Sequence, residues 1–252
     1  MELFSRRTLA LNGGQKKTWR NIVVQYYPLA LIVPSDKLPA LPGLSEHMRR
    51  SSNQTYLAGL WKNSLPLDLL WYRESTSRTL QQPSLGRKDL AWRALSWSWA
   101  SVDGKIMYDQ QLYTQYGRAT STTVFCEVLH AECTAASQSA AGQVTAGHIE
   151  LSCSILPVQY RHGQLILENN LICFSSDDRI ELGGTALYII RVAQLQNYQE
   201  QRDIFLVLKA VEISQKKFSR VCLASSAHAN GSLWLEEMDT FPWPEKKAIT
   251  II

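Results

Sequence analysis

SWSWASVDG, residues 96–104, sets Trp97 and Trp99 two positions apart among small residues and ends on the turn dipeptide Asp103-Gly104. In an extended chain, residues two apart point to the same side. The stretch therefore reads as a strand with one aromatic face, then a tight turn, with KIMY (105–108) as the returning strand. Two such rings bury on the order of a few hundred Å², at roughly 25 cal/mol per Å². That is enough to clamp one part of the chain onto another, which makes Trp97, Trp99, Asp103 and Gly104 the expected structural junction. An exposed aromatic platform for a ligand is the rival reading.

The pattern changes across this stretch. In KKTWRNIVVQYY, upstream, Trp19, Ile22, Val23, Tyr26 and Tyr27 recur at helical steps, and Pro28 ends the run. Ser35-Asp36 reads as a second helix start, with Leu38, Leu41, Leu44 and Met48 on one stripe. Pro42 cannot sit inside a helix, so that segment kinks or begins later than Ser35. YLAGLW (56–61) is a short apolar run. Ser64 reads as the N-cap of a helix carrying Leu65, Leu69, Leu70 and Trp71. Residues 73–88 read as a surface loop.

Downstream the period becomes two. Val124, Cys126 and Val128 alternate with Phe125, Glu127 and Leu129, and HIELSCSI (148–155) alternates again. Further short apolar runs lie at 165–167, 171–174, 187–192, 204–208 and 221–223, with Gly163, Gly183-Gly184 and Asn230-Gly231 as turn signals. Residues 249–252 read as a closing strand. The sequence thus predicts an α+β chain, with a helical lobe over 1–95 packed on an antiparallel β-sandwich or barrel over 96–252.

Composition sets the outer limits. The 252 residues are 45% hydrophobic and 19% charged, a folded chain able to bury a core. Six of the eight tryptophans (Trp19, Trp61, Trp71, Trp92, Trp97, Trp99) precede residue 100. No apolar run approaches the ~20 residues of a membrane helix, and the N-terminus lacks the apolar core of a secretory signal. We expect a cytoplasmic protein with no membrane contact. Five cysteines (126, 133, 153, 173, 222), loosely spaced, do not suggest a disulfide framework. Residues 1–95 hold 14 Lys and Arg against 6 Asp and Glu, whereas 96–252 hold 12 against 16. The basic pairs of the front half read as a solvated face, and no nucleic-acid motif accompanies them.

No reaction is legible. Cys126, His130 and Cys133 are spaced C-x3-H-x2-C, and Cys153 or His148 would be needed as a fourth zinc ligand. On a regular strand Cys126 and His130 face one way and Cys133 the other, and no C-x2-C pair exists, so no metal is expected. His148 and Glu150 share a strand face, as an acid–base pair would, although a solvent-facing pair is the simpler reading. No nucleophile elbow or phosphate loop occurs, and no cofactor is expected.

YLAGLW (56–61), LLW (69–71) and RALSWSWASVDGKIMY (93–108), in that order, resemble the C-terminal region of fungal heterokaryon-incompatibility (HET) domain proteins. The preceding WRNIVVQYYPLALIVPSDKLPALPGLSEHM resembles that family's tryptophan-plus-helix segment and its Asp-Lys-Leu-x-Ala-Leu-x-Gly-Leu block. QVTAGHIEL (143–151), LYIIRV (187–192), LVLKAVE (206–212), KFSRVCLA (217–224), SLWLEE (232–237) and AITII (248–252) fit the β-rich tail behind it. The family's N-terminal core, suspected of NAD chemistry, has no counterpart here, and Pro39 and Pro42 depart from the family block. The resemblance implies a non-enzymatic lobe for self/non-self recognition or regulation. It also implies a first helix left open by the missing core, with Lys16, Lys17, Trp19, Arg20, Tyr26 and Tyr27 as a partner surface for an acidic protein or for self-association. The alternative is a small-molecule-binding or catalytic β-barrel of cyclase or isomerase type.

Overall fold

The computed structural model describes residues 18–26, 37–39, 41–74, 92–109, 121–136, 143–167, 170–176, 186–196, 201–226 and 241–252. Strands take 54% of them, and the α-helices among them are two short ones, α1 over 18–26 and α2 over Pro42–Ser52. α1 keeps the period read from its sequence: Trp19 and Val23 are buried, and Ile22 and Tyr26 are half-buried. α2 starts at Pro42, in the first turn, where a missing N–H costs nothing. It ends on Asn53 in the left-handed conformation at φ 50.

The rest of the front half is not helical. Tyr56–Leu57 (β1) and Leu60–Trp61 (β2) form a hairpin around Ala58 and Gly59, both at positive φ. The helix expected after Ser64 gives way to 3-10 turns at Lys62–Ser64 and Leu67–Leu69, then strand β3, Trp71–Arg73. Pro66 lies inside that stretch, where it withholds a helical hydrogen bond. β3 pairs with β4, Ile106–Tyr108, so the strand after Asp103-Gly104 returns onto Trp71–Arg73 and not onto SWSWAS.

Ten further strands build one sheet. They are β5 (Ser121–Val124), β6 (Glu127–Ala135), β7 (Val144–Cys153), β8 (Ile155–Arg161), β9 (Gln164–Leu167), β10 (Asn170–Ser176), β11 (Leu187–Gln196), β12 (Gln201–Glu212), β13 (Lys217–Ser225) and β14 (Lys247–Ile251). Their order is β10-β9-β8-β11-β12-β13-β14-β7-β6, with β5 beside β11. β13 and β14 run parallel, and the other pairs are antiparallel. β10 also pairs with β13, so β8, β9, β10, β13, β12 and β11 close into a ring of pairings. β14, β7 and β6 extend from it as a wing. The expected helical segment on an antiparallel sandwich or barrel is therefore corrected to a large mixed sheet. The apolar runs of the front half are too short to sustain helices and are satisfied by hairpin and 3-10 turns instead.

Two buried clusters explain the strand sequences. Inside the ring, Val158, Leu165, Leu167, Ile172, Leu187, Ile189, Phe205, Val207, Cys222 and Ala224 pack together. The alternate residues of the same strands, among them Ile190, Leu206 and Leu208, join a second cluster with the front-half aromatics. β11 and β12 are thus buried on both faces, which is why LYIIRV and IFLVL show no alternation. The second cluster draws residues from both sides of position 95.

SWSWAS sits at the centre of that second cluster, but not as a strand. Leu95 to Ser98 turn, and Trp99–Ser101 is a 3-10 helix whose Ser98 hydroxyl accepts from the Ala100 N–H. Trp97 and Trp99 are buried nonetheless, at 0% and 2% exposure. The Gly59 carbonyl accepts both the Trp19 and Trp99 indole N–H groups, at 2.8 and 2.9 Å. Ser98 donates to the Ala58 carbonyl at 2.6 Å, and Trp71 donates to the Trp97 carbonyl at 2.9 Å. Gly59 adopts φ +97, and a Cβ there would lie 2.6 Å from the Trp99 indole nitrogen. From the sheet side, fully buried Arg220 on β13 donates to the Leu69 and Trp71 carbonyls at 2.7 and 2.5 Å. Its guanidinium lies 3.3 Å from the Trp71 ring centroid. The clamp forms through indole and guanidinium donors on carbonyls of tight turns and of the first residue of β3.

Candidate functional site

Of the residues expected to form an open partner surface, the described ones, Trp19, Arg20 and Tyr26, pack against the core. Trp19 is fully buried, and its ring meets Tyr56 and Trp61 edge-on at 5.5 and 5.6 Å. Arg20 is buried and donates to Asp68 at 2.8 and 2.5 Å. Tyr26 is half-buried against Trp99. The helical stripe that suggested a sticky face is the one that docks α1 onto the core. Lys16, Lys17 and Tyr27 lie outside the described residues.

At the junction, Asp103 is held by Lys37 at 2.8 Å and by Arg93 at 2.9 Å. Burial pushes its carboxyl up, but the Arg93 and Lys37 hydrogen bonds outweigh that and hold it below the usual carboxylate range. Burial likewise lowers Lys37, against the opposing pull of Asp103. Gly104 takes φ +114, and a Cβ there would press on the Arg73 side chain.

The C-x3-H-x2-C constellation does not assemble. A β-bulge between Val128 and His130 shifts the phase of β6. Cys126 is buried and donates to the Arg191 carbonyl, whereas His130 faces solvent. A hydrogen bond with Cys153, together with burial, pushes the Cys126 thiol up. Cys133 is pushed up to about 12 by burial. Thiols so disposed are poor nucleophiles and poor metal ligands.

Beyond the bulge, the regular ladder builds a different cluster on the outer face of the wing. Across β6 and β7, Glu132 stands opposite His148, and His130 opposite Glu150. The His130 Nε2 lies 3.1 Å from one Glu132 carboxylate oxygen, and the His148 Nδ1 lies 3.6 Å from the other. The two imidazole rings are 5.4 Å apart, tilted by 31°. One ligand atom from each of His130, Glu132 and His148 falls within 4.8 Å of the others. The hydrogen bond from His130 holds the Glu132 carboxyl below its usual range, with His148 and Lys62 contributing. Sequence reasoning set His148 beside His130 as one option for a fourth zinc ligand but missed Glu132, because its place opposite His148 depends on the β6–β7 register.

A cleft of about 190 Å³ opens beside the ring, lined by residues that include Tyr72, Asp109, Cys173, Phe174 and Arg202. Arg202 and Asp109 form an ion pair inside it. Ligand pockets usually exceed roughly 300 Å³. No helix among the described residues is long and apolar enough to cross a membrane. No protein-family model, no curated protein and no solved structure matches this chain.

Proposed function

We propose that this chain is a non-enzymatic, cytoplasmic interaction module, the regulatory or self/non-self recognition lobe of a HET-domain-like protein. The family part of this reading rests on the sequence resemblance. The observation that supports a non-enzymatic module is the filled ring: ten buried apolar side chains occupy the space where a ligand-binding barrel keeps its cavity. That filling weighs against the small-molecule-binding or catalytic alternative.

The contact surface shifts from α1 to the end of β12 and the turn that follows it. Val211 and Ile213 are 54% and 63% exposed there, two positions apart, flanked by Glu212, Lys216 and Lys217. An exposed apolar pair with a charged rim is how a partner site looks on a folded surface. The partner proposed is the N-terminal core of a HET-like protein. The test is titration of the purified full chain against such a core, with Val211→Ser/Ile213→Ser as comparison. Saturable binding weakened by the double substitution is expected. Absence of binding, or nicotinamide release from NAD above buffer background that survives repurification, contradicts the proposal.

A further inference from the structure

We propose that His130, Glu132 and His148 form a divalent transition-metal site, with Zn²⁺ as the reference ion, that clips the edge strand β6 to β7. This does not rest on the interaction-module reading. It revises the expectation, drawn from the sequence, of no metal.

The donor set is the first argument. Two imidazoles and one carboxylate are a recurrent three-ligand set for zinc and related ions. The ligand atoms here are the His130 Nε2, the His148 Nδ1 and the Glu132 oxygens, already 3.1 and 3.6 Å from one another in two of the three pairings. Metal–nitrogen and metal–oxygen bonds of about 2.0–2.2 Å in a tetrahedral array put ligand atoms at just over 3 Å from each other. The two short distances run to different Glu132 oxygens, and one ligand atom from each residue falls within 4.8 Å of the others, so a modest contraction draws the three onto one ion.

The backbone is the second argument. The ladder fixes Glu132 directly opposite His148, and His130, two residues before Glu132 on β6 with no irregularity between them, shares its outer face. The contraction therefore needs side-chain rotation alone. The side chains are 47%, 62% and 35% exposed, so they have room to rotate and an ion has a path in. The next carboxylate on that face, Glu150, stands opposite His130 and outside the cluster. Three protein ligands leave one position of a tetrahedral ion for water. The buried thiols Cys126 and Cys153 belong to the opposite side of the wing.

The experiment is calorimetric titration of the untagged, chelator-stripped full chain with Zn²⁺, paired with the absorption spectrum of its Co²⁺ form. One ion per chain is expected, with no thiolate-to-cobalt band. His130→Ala, Glu132→Ala and His148→Ala should each weaken binding by more than the roughly 10- to 100-fold that loss of an outer-shell partner costs. Glu150→Gln should leave it within about 3-fold. All three ligand side chains are solvent-accessible, so the metal-free variants should keep the thermal midpoint of the native chain, which separates loss of ligand from loss of fold. Zinc should also slow hydrogen exchange of the β6 amides, reversibly on chelation. No saturable binding, unchanged affinity in His130→Ala/His148→Ala, or a thiolate band would overturn the proposal.

Discussion

β12 and β6 belong to the same sheet and lead opposite lives. β12 is covered on both sides, by the ring interior through Phe205 and Val207 and by the aromatic cluster through Leu206 and Leu208. β6 ends the sheet order and covers one side alone, with Ala131 inward and Glu127, His130 and Glu132 outward. Its exposed edge carries charges and a bulge, the devices that keep edge strands from pairing with other chains. The doubly covered strand is scaffold, and its residues answer to packing. The wing is where side chains are free to do chemistry.

Substitutions break this contrast in order of size. Asp203, 2% exposed, holds Arg191 at 2.6 Å where β11 and β12 meet. Asp203→Ala removes the anion from a buried ion pair and should cost about 3–5 kcal/mol in a denaturant titration. Trp97→Ala should fall in the same range, about 3–5 kcal/mol, because its ring is wholly inside the cluster shared by the front half and the sheet. An unchanged thermal midpoint would remove Trp97 from the clamp. Gly59→Ala adds a methyl against the Trp99 indole at positive φ, and about 1–3 kcal/mol is expected from crowding alone. On the wing, Leu129→Ser, at a side chain 48% exposed, should stay within about 0.5 kcal/mol.

The pattern of success in reading the sequence follows the same contrast. IFLVL and LYIIRV read correctly as strands, since any strand covered on both faces is apolar throughout. The face of α1 was also legible, but its meaning was not. A helical stripe of Trp19, Val23 and Tyr26 looks the same whether it docks internally or binds a partner. SWSWAS misled for a different reason. Spacing two suggested a strand, whereas Ser98 caps a 3-10 turn and the Trp99 indole finds the Gly59 carbonyl 40 residues away. The pairing of β10 with β13 closes the ring across some fifty residues of intervening chain, and no local pattern encodes it. At the candidate metal cluster, counting by twos puts Cys126 with His130, a relation that the bulge breaks, and the place of Glu132 opposite His148 depends on the β6–β7 register, which no local pattern encodes.

Acid sharpens the account of the junction. The Asp103 carboxyl lies below its usual value in the fold, so its ion pairs stabilise the protein above the unfolded-state value of about 3.9. That contribution is lost as pH falls through the lower folded value. Asp103→Asn should therefore reduce stability at neutral pH and flatten the acid limb of the stability curve, a small effect because the side chain is 30% exposed. An acid limb identical to that of the native chain would show that Lys37 and Arg93 do not depend on it.

The aromatic node at residues 96–101 fuses the front-half hairpins and the ring into one cooperative body, with the β6 wing outside it. Native-state hydrogen exchange, read in one sample at β3, β12 and β6, tests this. The Trp71–Arg73 and Ile204–Leu208 amides should exchange together at the slowest rate, set by global unfolding, while the Glu127–Ala135 amides open earlier. Exchange of β3 well ahead of β12 would contradict it.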